Sequence, residues 1–234
     1  MRKVNFQNRY YYHVYNRGVD KRRVFVDKKD YLRFMRSLRE FNDKKVYGGL
    51  FIKDKIKKLN QDKRGSASLE EAEPLVDIIC YALLPNHYHF LLRQRIDNGI
   101  STYIHKLITA YTMYFNYKHK RTGGLFQGKF KAVSIKTDEQ LLYTSAYING
   151  NAEIHKICQA EDWNWSSYLD YLGVRKETES LRFEEANRRD SVSADTKIIL
   201  KEFTNIDDYQ EYVSGVIKNS SGIKEELKQL EMEK

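Results

Sequence analysis

The chain has 234 residues, 41% hydrophobic and 31% charged, enough for one good-sized domain with an appendage or two small ones. No apolar run approaches the ~20 residues that a helix needs to cross a bilayer, which excludes a membrane-spanning helix. Lys and Arg outnumber Asp and Glu by 41 to 32, a net charge of +9, and 18 tyrosines accompany them. Basic surface with abundant aromatics suits a phosphate backbone and stacked bases, with a merely basic cytosolic protein as the alternative. Cys80 and Cys158 show neither metal-ligand spacing nor a disulfide framework, so both are expected as reduced, buried thiols. The opening "MRKVNFQNRY" lacks the apolar core of a signal peptide, and the expected location is the cytoplasm.

In chain order, "YYYHVYNRG" (10–18) alternates as a strand and ends in an Asn-Arg-Gly turn. "DKKDYLRFMRSLREFND" (27–43) is an amphipathic helix, with Tyr31, Phe34, Met35, Leu38 and Phe41 at helical spacing over a basic face. Residues 44–73, with Gly-Gly and a Lys-rich run, read as a variable loop or insertion. Two apolar runs around Leu84-Pro85-Asn86 (74–94) form a hairpin of central strands. A long helix over 100–121 stops at Gly123-Gly124, and a strand follows at about 130–136. Thr137 and Gln140 make a capping box that starts a helix running from Asp138 to about Ala152.

The order β-α-β-β-α-β predicts an α+β fold, a ferredoxin-like split β-α-β with an antiparallel sheet and helices on one face. "WNWSSYLDYLG" (163–173) reads as a closing aromatic clasp. Composition then turns polar, so the expected organisation is a domain over 1–173 and a helical C-terminal extension over 174–234. Helices are expected there at about 195–218 and 222–233.

The chemistry centres on "LLPNHYHFLLRQ" (83–94). Residues two apart on a strand share a face about 6.5–7 Å apart, so His87 and His89 point one way and Tyr88 and Phe90 the other. Two such imidazoles can converge on a divalent ion, or can sit inert and hydrogen-bonded on a half-exposed sheet. A metal would need a third donor. His13, His105, His119 and His155 form no evident partner motif with the pair, which leaves side-chain amides and carboxylates.

"YYHVYNRGVDKRRVFVDKKDYLRFMRSL", "YALLPNHYHFLLRQ", "YKHKRTGGLFQGKFKAVSI", "YINGNAEIH" and "WNWSSYLDYLG" occur in an order that resembles the single-tyrosine HUH transposases (the IS200-like superfamily). The resemblance covers about 8–173 and is specifically to the branch associated with repetitive extragenic palindromes. There "HUH" denotes His–hydrophobic–His, which "HYH" fits. It implies a catalytic tyrosine on the helix after the last strand, with an amide one turn later completing the metal site. Of the 18 tyrosines, only Tyr12 and Tyr147 have Asn or Gln four residues on. Tyr12 lies in strand-like sequence, whereas Tyr147 and Asn151 share a helix face about 6 Å apart. The implied site is therefore Tyr147 as nucleophile with His87, His89 and Asn151 holding Mg²⁺ or Mn²⁺. A shifted register would offer Asn149 as ligand but would place Ser145 where the tyrosine belongs. The family often has Pro after the asparagine; here Ala152 stands there.

The resemblance implies a single-stranded DNA endonuclease and strand transferase acting near hairpins through a 5′-phosphotyrosine intermediate, as a monomer or a homodimer. Lys118, Lys120, Arg121, Lys129 and Lys131, interleaved with Phe126 and Gln127, suit a loop that grips phosphates and stacks on unpaired bases. Arg17, Arg22 and Arg23 form a second basic patch. Two rivals stand beside this reading. One is a non-catalytic, domesticated hairpin-binding protein for DNA or RNA; the other is a metal-dependent hydrolase with water as nucleophile.

Overall fold

The structure, a computed structural model, describes residues 4–44, 73–175 and 194–232. Almost all of the predicted insertion at 44–73 lies outside the described residues. The elements run β1 (Tyr11–Arg17), α1 (Lys28–Glu40), β2 (Val76–Leu84), β3 (His87–Gln94), α2 (Gly99–Lys118), β4 (Lys131–Ile135), α3 (Asp138–Asn149), α4 (Asn151–Ile154), α5 (Tyr168–Tyr171), α6 (Lys197–Leu200) and α7 (Ile206–Met232). The four strands form one sheet in the order β2-β3-β1-β4, with every neighbouring pair antiparallel. This is the expected split arrangement, in which β3 pairs between β1 and β2.

One sheet face carries Tyr12 and Val14 of β1 and Tyr88, Phe90 and Leu92 of β3, all buried under α1 and α2. Phe34 and Leu38 of α1 and Tyr103, Leu107 and Tyr111 of α2 complete that core. Asp27 caps α1 by accepting from the Asp30 backbone N–H at 3.1 Å, and Asp30 returns the contact in a full capping box. The register of β2 shifts between Ile78 and Cys80, so Val76 and Ile78 share the first face with Tyr81 and Leu83. The same shift turns Ile79, Cys80, Ala82 and Leu84 to the second face.

The expectation of helices on one face is corrected here, because both faces are covered. Leu141, Ala146 and Ile148 of α3 pack on the second face together with Tyr209, Val213, Val216 and Ile217 of α7. Those α7 positions follow helical spacing, and the stripe explains why a largely polar tail still has a buried side. Instead of two similar helices the tail forms the one-turn α6 and then a single uninterrupted α7.

Residues 163–167 close the edge of β2. The Leu83 N–H donates to the Trp165 carbonyl at 2.9 Å, and the Ser167 N–H donates to that of Tyr81 at 2.8 Å. Trp163 Nε1 donates to the Leu83 carbonyl at 3.1 Å, while Trp165 stacks on Tyr31. Backbone groups that would otherwise template another strand are thus satisfied. Cys80 is buried as expected and burial pushes its thiol up to about 12, but Cys158 is only half-buried.

Candidate active site

Strand alternation puts His87 and His89 on the second face, at the hairpin end of β3, where α3 does not seal the sheet completely. Their ring centroids lie 5.1 Å apart. Tyr15 of β1 pairs directly with His89 and stacks on it, with centroids 5.6 Å apart and planes 18° from parallel. His13, two residues earlier on β1, brings Nε2 to within 2.8 Å of His89 Nδ1. At the other end His155 sets its ring 4.8 Å from that of His87. Four imidazoles therefore form a row, His13–His89–His87–His155. Sequence reasoning set His13 and His155 aside. The signals were present: His13 shares β1's odd-numbered face with Tyr15, and His155 follows Asn151 by one helical turn.

Tautomer chemistry follows from these contacts. Asn86 Oδ1 lies 2.5 Å from His87 Nδ1, and an amide oxygen can only accept, so Nδ1 carries the proton and, in the neutral ring, Nε2 the lone pair. Burial pushes His13 down to about 4, which keeps it neutral at ordinary pH.

Helix α3 brings the tyrosine. Thr137 caps it, accepting from the Gln140 N–H at 3.2 Å. Gln140 returns its own bond to the Lys136 N–H at 2.9 Å, one residue earlier than in the usual box. Tyr147 is half-buried, its ring centroid 5.9 Å from His89 and 6.3 Å from His13. Burial raises its pKa, and the Asn151 side chain opposes that shift. The phenol therefore needs activation before it can act as a nucleophile.

The two asparagines have different surroundings. Both amide atoms of Asn149 are engaged: Nδ2 donates to Tyr209 Oη at 2.8 Å, and Oδ1 accepts from Ser167 Oγ at 2.6 Å. Asn151 is fully enclosed; its Nδ2 donates to the Tyr147 carbonyl at 3.3 Å, while its Oδ1 has no hydrogen-bond partner. A buried amide oxygen without a donor is costly, and a cation is one way to satisfy it. Among the described residues no three His, Cys, Asp or Glu side chains group so as to hold a metal. A centre here would thus draw its third donor from an amide, and the donor set of two imidazoles and Asn151 fits a divalent ion.

The predicted DNA contacts divide into two groups. Arg17 pairs with His87 across β1 and β3, and Lys131 pairs with Tyr15 across β1 and β4, so both flank the histidine face. Arg22, Arg23, Lys120, Gln127 and Lys129 are exposed as well. Arg22 hydrogen-bonds the Val19 carbonyl, and the Gln127 N–H donates to that of Arg17. Lys118, Arg121 and Phe126 are directed into the fold. Lys118 Nζ reaches Asp27 at 2.6 Å and the buried Asp30 at 2.7 Å. Arg121 braces its own loop through the Asn116 side chain and the Gly124 carbonyl. Phe126, expected to stack on a base, is 7% exposed and packs edge-on against Tyr88.

Residues 67–151 match the family model described as "Transposase IS200 like", and the chain resembles those transposases. The matched span contains His87, His89, Tyr147 and Asn151. Among solved structures, the chain is similar to a REP-associated tyrosine transposase bound to a REP hairpin, at 12% identity and a TM-score of 0.50. That alignment covers 83% of this chain and 96% of the other, and shows a shared α+β fold. No match was found among curated protein sequences.

Proposed function

We propose that the protein is a transposase-like endonuclease and strand transferase for single-stranded DNA beside hairpins. The observation that carries this reading is the placement of Tyr147 of α3 against His89, with the unsatisfied Asn151 oxygen four residues on, at the start of α4. The match to IS200-like transposases over those residues supports it, as does the fold shared with a protein bound to a REP hairpin. Residues 1–173 would form the catalytic unit, with the helical extension over 174–234 bracing α3.

In this reading His87, His89 and Asn151 hold Mg²⁺ or Mn²⁺, which when bound supplies Lewis-acid polarisation of the scissile phosphate. The Tyr147 phenol loses its proton and its oxygen bonds to phosphorus. The bond from phosphorus to the 3′ oxygen breaks, and that oxygen leaves as a hydroxyl. The product is a 5′-phosphotyrosine that a second 3′-hydroxyl reverses, so the bond is conserved and no nucleotide cofactor is consumed. Arg17 and Lys131 lie where they can hold the backbone on either side of the reacting phosphate, with Arg22, Arg23, Lys120, Gln127 and Lys129 further out.

The test uses the full chain, a hairpin with single-stranded flanks, and Mn²⁺ or Mg²⁺. A 3′-labelled strand is expected to shift to a slow, denaturation-resistant band, and a 5′-labelled strand to shorten. Both changes should vanish in EDTA. Shortening without a protein-linked band would favour the water-dependent hydrolase, and binding indifferent to EDTA without either change would favour the non-catalytic binder.

A further inference from the structure

Beyond the two strand histidines, the row contains two imidazoles to which the proposed chemistry assigns no role. His155 is exposed at the helix end and meets His87 edge-on. His13 differs. It is half-buried between Tyr15 and His89, with its ring roughly parallel to His89 at a centroid distance of 5.0 Å. Its Nε2 points at the one ring nitrogen of His89, Nδ1, that lies 2.8 Å away. We infer that His13 is a positioning residue for the metal centre: it accepts a hydrogen bond from His89 Nδ1–H and so fixes the Nε2 lone pair of His89 as the metal-facing one. The inference rests on the metal reading given under Proposed function.

A ring nitrogen can ligate a cation only while it carries a lone pair, so whatever accepts from the other nitrogen selects the ligand atom. His87 already has such a partner in Asn86, an acceptor next to it in the chain. His89 lies mid-strand beside β1, and His13 supplies a matching acceptor from there. A carboxylate or carbonyl usually fills this role; here a half-buried imidazole stands in the same place. It also orients the ring, because His89 is held between the in-plane contact to His13 and the face of Tyr15. A cation would then meet two imidazoles of the same tautomer, each locked from behind.

The experiment uses the full-length protein in three forms: wild type, His13→Leu and His13→Gln. In the metal-free protein, imidazole ¹⁵N shifts report which nitrogen of His89 carries the proton. Calorimetric titration with Mn²⁺, without DNA, reports affinity. The wild type is expected to show His89 protonated at Nδ1. His13→Leu should mix the tautomers and bind Mn²⁺ about 10–100-fold more weakly, the usual loss when such a partner is removed. His13→Gln, which keeps an acceptor, should restore most of both. Should His13→Leu unfold, the tautomer in the wild type and in His13→Gln still decides. An Nε2-protonated His89 in the wild type, or a His13→Leu variant that binds Mn²⁺ like wild type, overturns the inference while the metal site stands. If instead the wild type binds no Mn²⁺, or binding persists in His87→Ala/His89→Ala, the metal reading itself falls.

Discussion

The two faces of the sheet are built from the same strands yet do opposite things. On β3, Tyr88, Phe90 and Leu92 enter a dry aromatic core, while His87 and His89 turn toward a partly open site. The first face is closed along its length by two helices, whose Phe34 and Tyr111 meet each other edge-on and close on Phe25 from the preceding loop. The second is sealed where β2, Leu91 and Ile135 meet α3, α7 and the short helices beside them. The rigid face fixes the backbone, and alternation then places the histidines within a narrow tolerance. The placement of the histidines thus comes from the packing of the opposite face.

Breaking the first face should have the largest effect on stability. Phe34→Ala removes a fully buried ring and is expected to cost about 3–5 kcal/mol, measured by urea unfolding. Next is the contact that holds the tyrosine helix. A Cβ added to Gly150 would lie 2.5 Å from Ile217 Cγ1 and 3.2 Å from the Ala146 carbonyl oxygen. Gly150→Ala should cost about 1–3 kcal/mol, and less on an Ile217→Ala background, since the clash is then relieved. A double-mutant cycle by thermal unfolding checks that coupling.

The two asparagines sharpen the contrast further. Asn149→Ala removes a buried hydrogen bond from each of Tyr209 and Ser167, which keep their contacts to Ser145 and Tyr81, and should cost about 1–3 kcal/mol of stability. Asn151→Ala removes an oxygen that has no partner, so it should cost less stability and instead abolish Mn²⁺ binding and strand cleavage. Equal loss of stability in both, with Mn²⁺ binding intact in Asn151→Ala, would erase the distinction between them.

The smallest effect belongs to the first face's edge. The Lys118 ammonium holds the Asp27 carboxyl below its ordinary range. Folding therefore favours the ionised form. Its contribution is present above the unfolded carboxylate value of about 4 and is lost as pH falls through the lower folded value. Asp27→Asn should lower Tm slightly near neutrality and converge on the wild type at low pH, which flattens the acid limb of a Tm-against-pH curve.

Much of the first face was legible because periodicity reports burial directly. The alternation around His87 and His89 and the capping at Thr137 each rest on contacts within a few residues. The hairpin turn at Pro85-Asn86 does too. What escaped was tertiary. Lys118 and Phe126 sit in a segment whose basic-aromatic pattern looks like a nucleic-acid loop. Only the fold shows that Asp30 draws one inward and Tyr88 buries the other. The engagement of Asn149 by Tyr209, some sixty residues away, was likewise out of reach. His13 and His155 were invisible as partners because the first meets the site through strand order and the second through α4, a separate short helix after the expected Asp138–Ala152 helix stops at Asn149.

The account turns on Tyr147, and mapping the covalent product tests it most directly. After reaction with hairpin DNA and Mn²⁺, nuclease and protease digestion followed by mass spectrometry should find a nucleotide phosphate on Tyr147. The same treatment of Tyr147→Phe should yield no adduct. An adduct on another residue, or one that persists in Tyr147→Phe, would contradict the assignment.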